Sequence, residues 1–532
     1  MLRSKKHIAF LKAKRKEEKK KKTNKLSDCP VIVMENQYYY FAFFFTFIFF
    51  IFMVVKIVRE PRTKNSTPKL PPGPRKVPVI GNIHQLLGSL PHHTLRDLAK
   101  KYGPLMHLQV GEVSTVVVSS SEMAEKVMKN HGIVFAYKPS LMGTTIMSYN
   151  NSDIAFSPYG DYWRQIRKIA TMELLGANRV QMFRSIREEE ASNFIETISS
   201  CNGLPINLSE RLFSLAYSIT SKAAFGKKCN EEDQETFISI VNKGTTLISG
   251  FSIADAYPSI KVLETISGLR PKFEKLFKMA DRILQNILNE HRGRHAETET
   301  NLVDVLLKIQ QEGGLQFPLT DDNIKAVILN IFSAGSETSS ATVEWAFCEM
   351  LKNPRLMKEA QNEVRRVFYD KKTVDETRIH ELKLINSIIK ESLRLHPPLP
   401  LIPRASGEEC EIDGYTIPVK SRVFVNAWAI GREPTYWSEA ETFQPERFLN
   451  NSIEYKGTDF QFIPFGAGRR ICPGMSYALP NIQLPLAQML YHFDWKLPND
   501  MKPEELDMTE EFGLSVKRKK DLFVIPMLYH HP

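Results

Sequence analysis

The chain has 532 residues, of which 42% are hydrophobic and 10% aromatic, so it can bury a large core and is not a disordered protein. The net charge of +11 is concentrated at one end, because residues 1–25 alone hold twelve Lys or Arg and two Glu. The rest of the chain sums to about +1. A nucleic-acid-binding body usually spreads positive charge over a folded face, so this distribution argues against nucleic acid as a partner.

The cysteine content indicates a reducing compartment. Its density is far below that of a disulfide scaffold, and no C-x-x-C pair favours a zinc site built on cysteines. We expect each cysteine to be a small buried hydrophobe unless its neighbours indicate otherwise. The six are Cys29, Cys201, Cys229, Cys348, Cys410 and Cys472.

Residues 34–58 are predicted to form a membrane anchor. Tyr38–Val55 contains eighteen residues without a charge. As a helix it would span about 27 Å, close to the ~30 Å hydrocarbon core of a bilayer. A buried core helix is the alternative, and it fits less well because the segment is apolar on every side. No small-residue cleavage site follows, so we expect a retained, single-spanning anchor rather than a cleaved signal.

The charged residues on the two sides of the anchor predict opposite orientations in the membrane. Basic residues lie on both sides, and the positive-inside rule would keep both flanks in the cytosol. A chain that starts at Met34 has only Glu35 before the anchor, which places the body in the cytosol without conflict. We therefore interpret residues 1–33 as a basic extension outside the native reading frame. The alternative is a real, solvated basic tail.

A proline-rich linker, residues 59–76, is predicted to follow the anchor. Lys69–Pro78 contains four prolines and a glycine in ten residues, a composition that forms neither a helix nor a central strand. It favours a stiff, extended segment between the membrane and the body. The body then occupies residues 77–532 and has no internal repeat.

Helical signals dominate the body. Thr320 is a helix N-cap, followed by two acidic residues, and it opens a helix that we expect to reach about Leu351 and to be buried on all sides. Asn353 with Pro354 opens another, and a third is stopped by Pro397. The predicted strands are short, at Leu105–Val118, Cys410–Ile417 and Val423–Val425. These patterns predict a mainly α fold with small peripheral β-sheets.

The segment Phe462–Gly474 is the strongest local signal for chemistry. A single cysteine, Cys472, stands among glycines that allow close approach of a flat or bulky partner. Pro473 is expected to open a helix, which would place the thiol at a helix N-terminus, where a thiolate is stabilised. A buried structural cysteine is one alternative. A phosphate loop is another, but no Lys-Ser/Thr follows the glycines and Ile471 replaces the third glycine of G-x-G-x-x-G.

Four motifs in this order resemble those of the cytochrome P-450 superfamily. They are the Phe465–Gly474 haem signature, Glu391–Arg394 (E-x-x-R), Pro445–Phe448 (P-E-R-F) and Ala334–Thr338 in the distal helix. The anchor and linker resemble those of microsomal members. The resemblance covers residues 34–532 and implies the cytochrome P-450 fold, a plant microsomal enzyme similar to terpenoid hydroxylases, and haem b (iron protoporphyrin IX).

The resemblance also implies the roles of individual residues. Cys472 would be the axial iron ligand, and thiolate ligation favours O–O cleavage. Glu391, Arg394 and Arg447 would form a buried structural triad; a solvated surface pair is the alternative reading of the first two. The haem would be held by Trp163, Arg167, Arg404, Phe465, Arg470 and Cys472.

Glu337 and Thr338 are the predicted catalytic pair. They lie in the middle of an otherwise apolar helix, where a carboxylate is costly without a partner or a task. By resemblance they deliver protons to dioxygen during the reaction. The alternative is a threonine that bonds to its own helix, beside a paired glutamate.

The predicted function is that of a monooxygenase anchored in the endoplasmic reticulum membrane. It would hydroxylate a lipophilic small molecule that arrives through the membrane lipid, with a plant terpenoid as the expected substrate. The enzyme would use O₂ and electrons from NADPH–cytochrome P-450 reductase. Arg164, Lys168 and Arg469 would face an acidic surface of this reductase. Two alternatives are a haem-thiolate dehydratase or isomerase of lipid hydroperoxides and a non-catalytic, membrane-tethered binding protein.

Three further expectations concern the body. The substrate pocket is predicted to be apolar and without a buried charge, lined by Met142, Ile146, Met147, Ile331, Phe332, Leu401, Ile402 and Leu514. Pro480 is expected to kink the helix after Cys472, at a cost of about 3 kcal/mol. His92 and His93 are expected to diverge and face solvent rather than bind a metal, as are His530 and His531.

Overall fold

The computed structural model describes residues 43–48, 51, 69–227, 231–248, 251–293, 301–371 and 373–530. Most of the predicted anchor, the whole extension 1–33 and most of the linker lie outside these residues. Residues 43–48 are helical and exposed. Within the described ranges, no helix combines the length and the apolar character needed to cross a membrane. The chain divides into two units, Met1–Thr67 and Pro68–Pro532.

Helices form most of the larger unit. The α-helices are α1 (Pro91–Tyr102), α2 (Ser121–Glu125), α3 (Met142–Met147), α4 (Asp161–Ile169), α5 (Ala177–Met182), α6 (Arg184–Ser199), α7 (Leu208–Phe225), α8 (Glu231–Leu247), α9 (Ile253–Ala256), α10 (Val262–Ile266), α11 (Leu269–Arg292), α12 (Leu302–Glu312), α13 (Asp321–Lys352), α14 (Pro354–Val367), α15 (Lys383–Leu395), α16 (Ala427–Ile430) and α17 (Met475–His492).

The strands are short, as predicted, and lie in four small sheets. They are β1 (Leu105–Val110), β2 (Val113–Val118), β3 (Ile206–Asn207), β4 (Leu401–Ala405), β5 (Cys410–Ile412), β6 (Tyr415–Ile417), β7 (Arg422–Asn426), β8 (Phe493–Lys496), β9 (Glu510–Phe512), β10 (Val516–Arg518) and β11 (Phe523–Leu528). The largest sheet has the order β1-β2-β7-β4, in which only the β2–β7 pair is parallel. The mainly α fold with small sheets is therefore confirmed.

The long helix α13 organises the core. Its N-cap is Thr320, which forms a capping box with Asn323, and the helix ends at Lys352, close to the predicted limit. It packs against α7, α15 and α17, and most of its side chains are buried. Asn353 is the N-cap residue of α14, but its side chain accepts no hydrogen bond from the backbone of that helix. Its amide group instead donates to the carbonyl of Glu349, four residues earlier.

Helix α17 continues through Pro480 and through a second proline, Pro485. Each proline removes one backbone donor, but α17 is packed against α13, α6 and α14, and residues such as Leu484, Leu486 and Leu490 are fully buried. Tertiary packing therefore outweighs the local preference of proline here. The helix is not interrupted at Pro480.

Candidate active site

The loop that precedes α17 carries Cys472. The Cys472 backbone N–H donates to the carbonyl of Phe465 at 2.9 Å, which closes the loop on itself. The helix begins at Met475 with Gly474 at its N-cap, so the prediction that Pro473 opens the helix is wrong. The intervening turn brings the Gly474 N–H to the thiol. Burial raises the pKa of the Cys472 thiol, and this backbone hydrogen bond opposes the rise.

Gly468 lets this loop approach a neighbouring turn closely. Its φ is +67°, in the left-handed region that favours glycine. A Cβ at this position would lie 2.1 Å from the carbonyl oxygen of Met128, in the helical turn Lys126–Asn130. Any side chain would push the loop away, so the glycine of the motif has a packing role in addition to any contact with a cofactor.

Four cationic side chains form a cluster close to the thiol. Arg404 on β4 and Arg470 are buried, and burial lowers the pKa of Arg404 to about 10 and that of Arg470 to about 9. Burial also lowers the pKa of Lys138 well below its usual range and that of Arg167 on α4 to a lesser extent. The charges of Arg167 and Lys138 act on Cys472 directly. The structure therefore brings the predicted residues Arg167, Arg404 and Arg470 close to one another, and the charge of Arg167 reaches Cys472.

Backbone carbonyls take up many of the donors in this cluster. Arg470 donates from Nε to the carbonyl of Ala136 at 2.6 Å and from Nη2 to that of Ser157 at 2.6 Å. Trp163, stacked 4.1 Å from the Arg470 guanidinium, donates from Nε1 to the carbonyl of Ile154 at 3.0 Å. The guanidinium of Arg167, in contrast, forms no hydrogen bond or ion pair with the part of the chain that the structure describes.

The cluster carries a buried excess of positive charge. The buried carboxyl of Asp153 lies close enough to Arg470 and Lys138 for their charges to act on it. Burial raises the pKa of Asp153 to about 7, so this carboxyl is only partly ionised at neutral pH. An uncompensated group of buried cations is costly. The arrangement thus suits a bound group that carries carboxylates and accepts a sulfur ligand, and the residues fit haem, whose two propionates and iron have this chemistry.

The distal helix α13 faces the same region. Thr338 and Ala334 are accessible although most of the helix is buried, so open space adjoins this face. The Thr338 hydroxyl donates to the carbonyl of Ala334 at 2.7 Å. This bond within its own helix is the predicted alternative to a catalytic role. Glu337 is buried on another face and accepts a 3.0 Å hydrogen bond from Thr245 on α8. Burial raises the pKa of Glu337, which favours its protonated form.

Helices α13 and α17 meet directly at Gly335. A Cβ at Gly335 would lie 3.4 Å from the ring of Tyr477, a buried residue five positions after Cys472. The Tyr477 hydroxyl and the hydroxyl of Thr220 on α7 are 3.4 Å apart. This contact fixes α13 near the start of α17.

A cavity lies between α3, α8 and α13. Its lining includes Thr144, Met147, Ser148, Asp153, Phe156, Ile240, Val241, Gly244, Thr245, Ile248, Ala326, Leu329, Asn330, Ser333 and Leu514. Of the eight predicted lining residues, only Met147 and Leu514 are found there; the lining does not include Met142, Ile146, Ile331, Leu401 or Ile402. Phe332 is also absent, because it is fully buried against the rings of Tyr217, Phe225 and Phe237. The expectation of a wall without a buried charge is also wrong, since Asp153 contributes to it.

The E-x-x-R residues form the buried triad that the resemblance implies. Glu391 and Arg394 on α15 are essentially inaccessible, and the Arg394 Nε and Nη2 atoms each lie 2.7 Å from a Glu391 oxygen. Arg447, in the 3₁₀ turn Pro445–Phe448, donates to Glu391 at 3.0 Å. The solvated-pair alternative is therefore wrong, and the triad joins α15 to the segment that leads toward the Cys472 loop.

The cations predicted to face a redox partner are exposed. Arg164, Lys168 and Arg469 all lie at the surface. Arg164 is paired with Asp161 one helical turn earlier, whereas Lys168 and Arg469 form no ion pair within the described ranges. Lys168 and Arg469 are therefore more available than Arg164 to pair with an acidic partner.

Sequence reasoning missed several residues that contribute to the site. Lys138, Asp153, Thr245 and Tyr477 come from four separate segments, and none belongs to a recognised pattern. No local signal identifies them, because their role depends on tertiary proximity to Cys472 and α13.

Comparison with known proteins agrees with this geometry. A sequence model described as Cytochrome P450 matches residues 71–524. Cytochrome P450 71D10 of Glycine max is 54% identical over 510 residues, which cover 93% of this chain and 99% of the relative. Tabersonine 16-hydroxylase 2 of Catharanthus roseus is 53% identical, covering 92% of this chain and 98% of the relative. Premnaspirodiene oxygenase of Hyoscyamus muticus is 49% identical, covering 93% and 99%.

A solved structure has the same fold. The zebra fish cytochrome P450 with abiraterone aligns with a TM-score of 0.70 and 26% identity, over 83% of this chain and 100% of that chain. Monooxygenases of this kind act on small molecules with O₂ and a redox partner. The fold, the cysteine loop and the relatives agree, and the chain belongs to the cytochrome P450 family of haem-dependent monooxygenases.

Proposed function

We propose that this chain is a membrane-anchored haem b enzyme that hydroxylates a lipophilic plant terpenoid with O₂ and electrons from NADPH–cytochrome P450 reductase. The observation that carries the proposal is the position of the Cys472 thiol, which lies within a buried cationic cluster. The exposed cations Lys168 and Arg469 would receive the acidic surface of the reductase.

The chain offers a complete set of groups to hold the cofactor. Cys472 would supply the axial thiolate, and Phe465 would pack beside it. Arg167, Arg404 and Arg470 would bind the propionates, with Trp163 orienting Arg470 through their stacking contact at 4.1 Å. Lys138 is a further candidate, because its ammonium already donates to the carbonyl of Pro403 at 3.1 Å within the cluster. When bound, haem with a thiolate ligand activates dioxygen toward O–O cleavage.

Protons would be handled by two neighbouring residues of α13. Burial raises the pKa of Glu337, which favours its protonated form, and the Thr245 hydroxyl donates a hydrogen bond to its Oε1 atom. The Thr338 hydroxyl adjoins the open face of the helix and can turn its proton from the Ala334 carbonyl toward that space. Glu337 would then act as the proton source and Thr338 as the donor at the reacting oxygen.

The cavity favours an apolar substrate with few polar groups. Met147, Phe156, Ile240, Ile248 and Leu514 supply apolar surface that excludes water. The polar part of the lining consists of hydroxyls, one amide and the carboxyl of Asp153, and these groups can orient an oxygen atom of a ligand. Premnaspirodiene is a terpenoid and tabersonine an alkaloid, so the relatives leave both classes open. Asp153 is the one carboxyl in the lining, and burial raises its pKa to about 7, which makes it a weak counter-ion for a protonated amine. We therefore favour the terpenoid.

The proposed function predicts a specific reaction. Haem-loaded enzyme with the reductase and NADPH should convert a member of a terpenoid panel to an alcohol that contains one labelled oxygen atom when isotope-labelled O₂ is supplied. An alkaloid panel under the same conditions is the comparison. Conversion of lipid hydroperoxides without NADPH would instead identify a dehydratase or isomerase, and conversion of alkaloids alone would contradict the substrate class.

The variant Thr338→Ala tests the proton pathway in the same assay. Haem and substrate binding should be unchanged, whereas product formed per NADPH consumed should fall by roughly 10²-fold, a typical contribution of general acid catalysis. Thr342→Ala is the matched control, since Thr342 forms the same within-helix bond, at 2.8 Å, but is buried one turn further on. Equal coupling in the wild type and Thr338→Ala would remove Thr338 from the mechanism.

We further propose that residues 34–58 anchor the chain in the endoplasmic reticulum membrane with the body, residues 77–532, in the cytosol. A chain started at Met34 and expressed in microsomes should carry no N-linked sugar, although four sequons, at Asn65, Asn150, Asn207 and Asn450, lie beyond the anchor. Asn150 and Asn450 are exposed, so they would be modified in the lumen. A glycosidase-sensitive shift that disappears in Asn450→Gln or Asn150→Gln would overturn the orientation.

A further inference from the structure

His92, His93 and Glu510 form a compact cluster away from the cysteine loop. The expectation that the two histidines diverge into solvent is wrong for this pair, because the His92 side chain is fully buried and the His93 side chain is only 38% exposed. Glu510 Oε2 lies 2.8 Å from His92 Nε2 and 3.4 Å from His93 Nε2. One ligand atom from each of the three residues lies within 4.8 Å of the other two.

Aromatic side chains hold the two imidazole rings in place. His93 stacks on Trp428 at 4.1 Å, while His92 meets the edge of Trp428 at 5.2 Å and stacks on Phe512 at 5.8 Å. The histidines are adjacent at the start of α1, yet their rings are nearly perpendicular, at 89°. The packing therefore directs both rings toward the same carboxylate.

The cluster contains polar atoms without partners. His93 Nε2 is buried and forms no hydrogen bond with the described residues, although it points toward Glu510. His92 Nδ1 is also buried and without a partner. The unsatisfied His93 Nε2 atom beside the Glu510 carboxylate indicates that this arrangement is incomplete as a hydrogen-bond network.

The distances suit a transition-metal ion. In a tetrahedral zinc site with bonds of about 2.0–2.1 Å, neighbouring ligand atoms are about 3.4 Å apart. The His93–Glu510 distance of 3.4 Å has this value, and the His92–Glu510 distance of 2.8 Å requires only a small outward movement. The other oxygen of Glu510 lies 3.8 Å from His396 Nδ1, so His396 can support the carboxylate from behind.

Two guanidinium groups lie near the cluster, since Arg432 and Arg96 stack on the Trp428 ring at 3.9 Å and 4.6 Å. Both are paired with Glu441, Arg432 at 2.9 Å and Arg96 at 2.7 Å, and these ion pairs offset the repulsion of a dication.

We propose that His92, His93 and Glu510 bind one Zn²⁺ ion, with water as the fourth ligand. The ion would connect the start of α1 to β9. Strand β9 continues through Gly513 to Leu514, which lines the substrate cavity. Zinc binding would therefore restrain a wall of that cavity without contacting the haem region.

The test is zinc binding by the haem-loaded full chain, prepared without a polyhistidine tag and stripped with a chelator. Calorimetric titration with ZnCl₂ should give one site per chain. His93→Ala and Glu510→Gln should each weaken that site at least about 10-fold, the loss expected even for a supporting group. Magnesium should not compete, because two of the three protein ligands are imidazoles.

Two controls separate this site from other histidines. His380→Ala removes an exposed histidine, and the double change His530→Ala with His531→Ala removes the other adjacent pair. Neither should alter the affinity. Unchanged zinc affinity in both His93→Ala and Glu510→Gln, or the absence of a stoichiometric site in the wild type, would overturn the proposal.

Hydrogen exchange provides a second measurement in the wild type, in case a variant does not fold. Zinc should slow exchange at the backbone amides of residues 510–514 and at the start of α1. Slowing confined to other segments would assign the ion elsewhere and overturn the site.

Discussion

Replacing Cys472 by alanine is expected to abolish the red-shifted Soret band that thiolate ligation gives the reduced carbon monoxide complex, together with all NADPH-dependent product. The reason is that Cys472 is the cysteine within the buried cationic cluster. No other described cysteine is expected to take over. Cys348 is fully buried on α13, Cys410 lies in the β5–β6 hairpin, and Cys201, after the end of α6, accepts a 3.4 Å hydrogen bond from Arg211. The loss should therefore be complete rather than partial.

Two companion variants separate loss of the ligand from loss of the fold. Cys472→His retains an axial donor of a different kind, so haem should still bind while the thiolate band is absent. Cys410→Ala removes a half-buried cysteine away from the site and should leave the band unchanged. Retention of the thiolate band in Cys472→Ala would mean that another group is the ligand.

Much of the fold could be predicted because its signals are local. Thr320 with its acidic neighbours fixes the start of α13, and Pro397 follows the end of α15 at Leu395. The turn at Asp413 and Gly414 joins β5 to β6, and both residues have positive φ. Caps and turns act over three or four residues, so the sequence alone carries this information.

The site could be predicted only in part, since much of it depends on tertiary contacts. Cys472 and Arg470 were accessible to prediction through the haem signature, and Arg404 through the family resemblance. Lys138 and Asp153 were not, because nothing near them in the chain indicates that they join the cluster. The same limit explains Phe332, whose apolar neighbours fit a pocket and a core equally well until Tyr217, Phe225 and Phe237 surround it.

The histidine pair shows how packing can override helix periodicity. Adjacent residues on a helix point about 100° apart, which predicts divergence of His92 and His93. They lie at the very start of α1, where Trp428 and Phe512 turn both rings inward. Glu510, more than four hundred residues later, completes the cluster. A pairing at this separation leaves no trace in either local segment.

Loss of Glu391 is expected to have the largest effect on stability. Arg394 and Arg447 both bond to its carboxylate, and the backbone N–H of Gln444 donates to it at 2.8 Å. Glu391→Ala would leave a buried guanidinium without its counter-charge. Breaking a buried pair from one side costs about 3–5 kcal/mol. Such a loss approaches the whole stability of about 5–15 kcal/mol typical of a folded protein.

Of the two arginines in the triad, Arg394 should contribute more to the free energy of unfolding than Arg447. Arg394 also donates to the carbonyls of Gly431, at 2.6 Å, Ala440, at 2.7 Å, and Thr442, at 3.2 Å. Arg394→Leu therefore leaves three backbone acceptors unpaired in addition to Glu391. Arg447 is 11% exposed, and water can reach part of the space it leaves, so Arg447→Leu should cost less.

Denaturant unfolding of the haem-loaded chain measures this order. Glu446→Ala is the matched control, because Glu446 neighbours Arg447 but forms only a 3.6 Å surface pair with Arg355, in which both partners are at least half exposed. Its loss should change the free energy of unfolding by no more than about 1 kcal/mol. If Glu391→Ala were as mild as Glu446→Ala, the triad would be a surface network in solution. The burial of Glu391 and Arg394 would then have no energetic consequence, contrary to the cost of an unpaired buried charge.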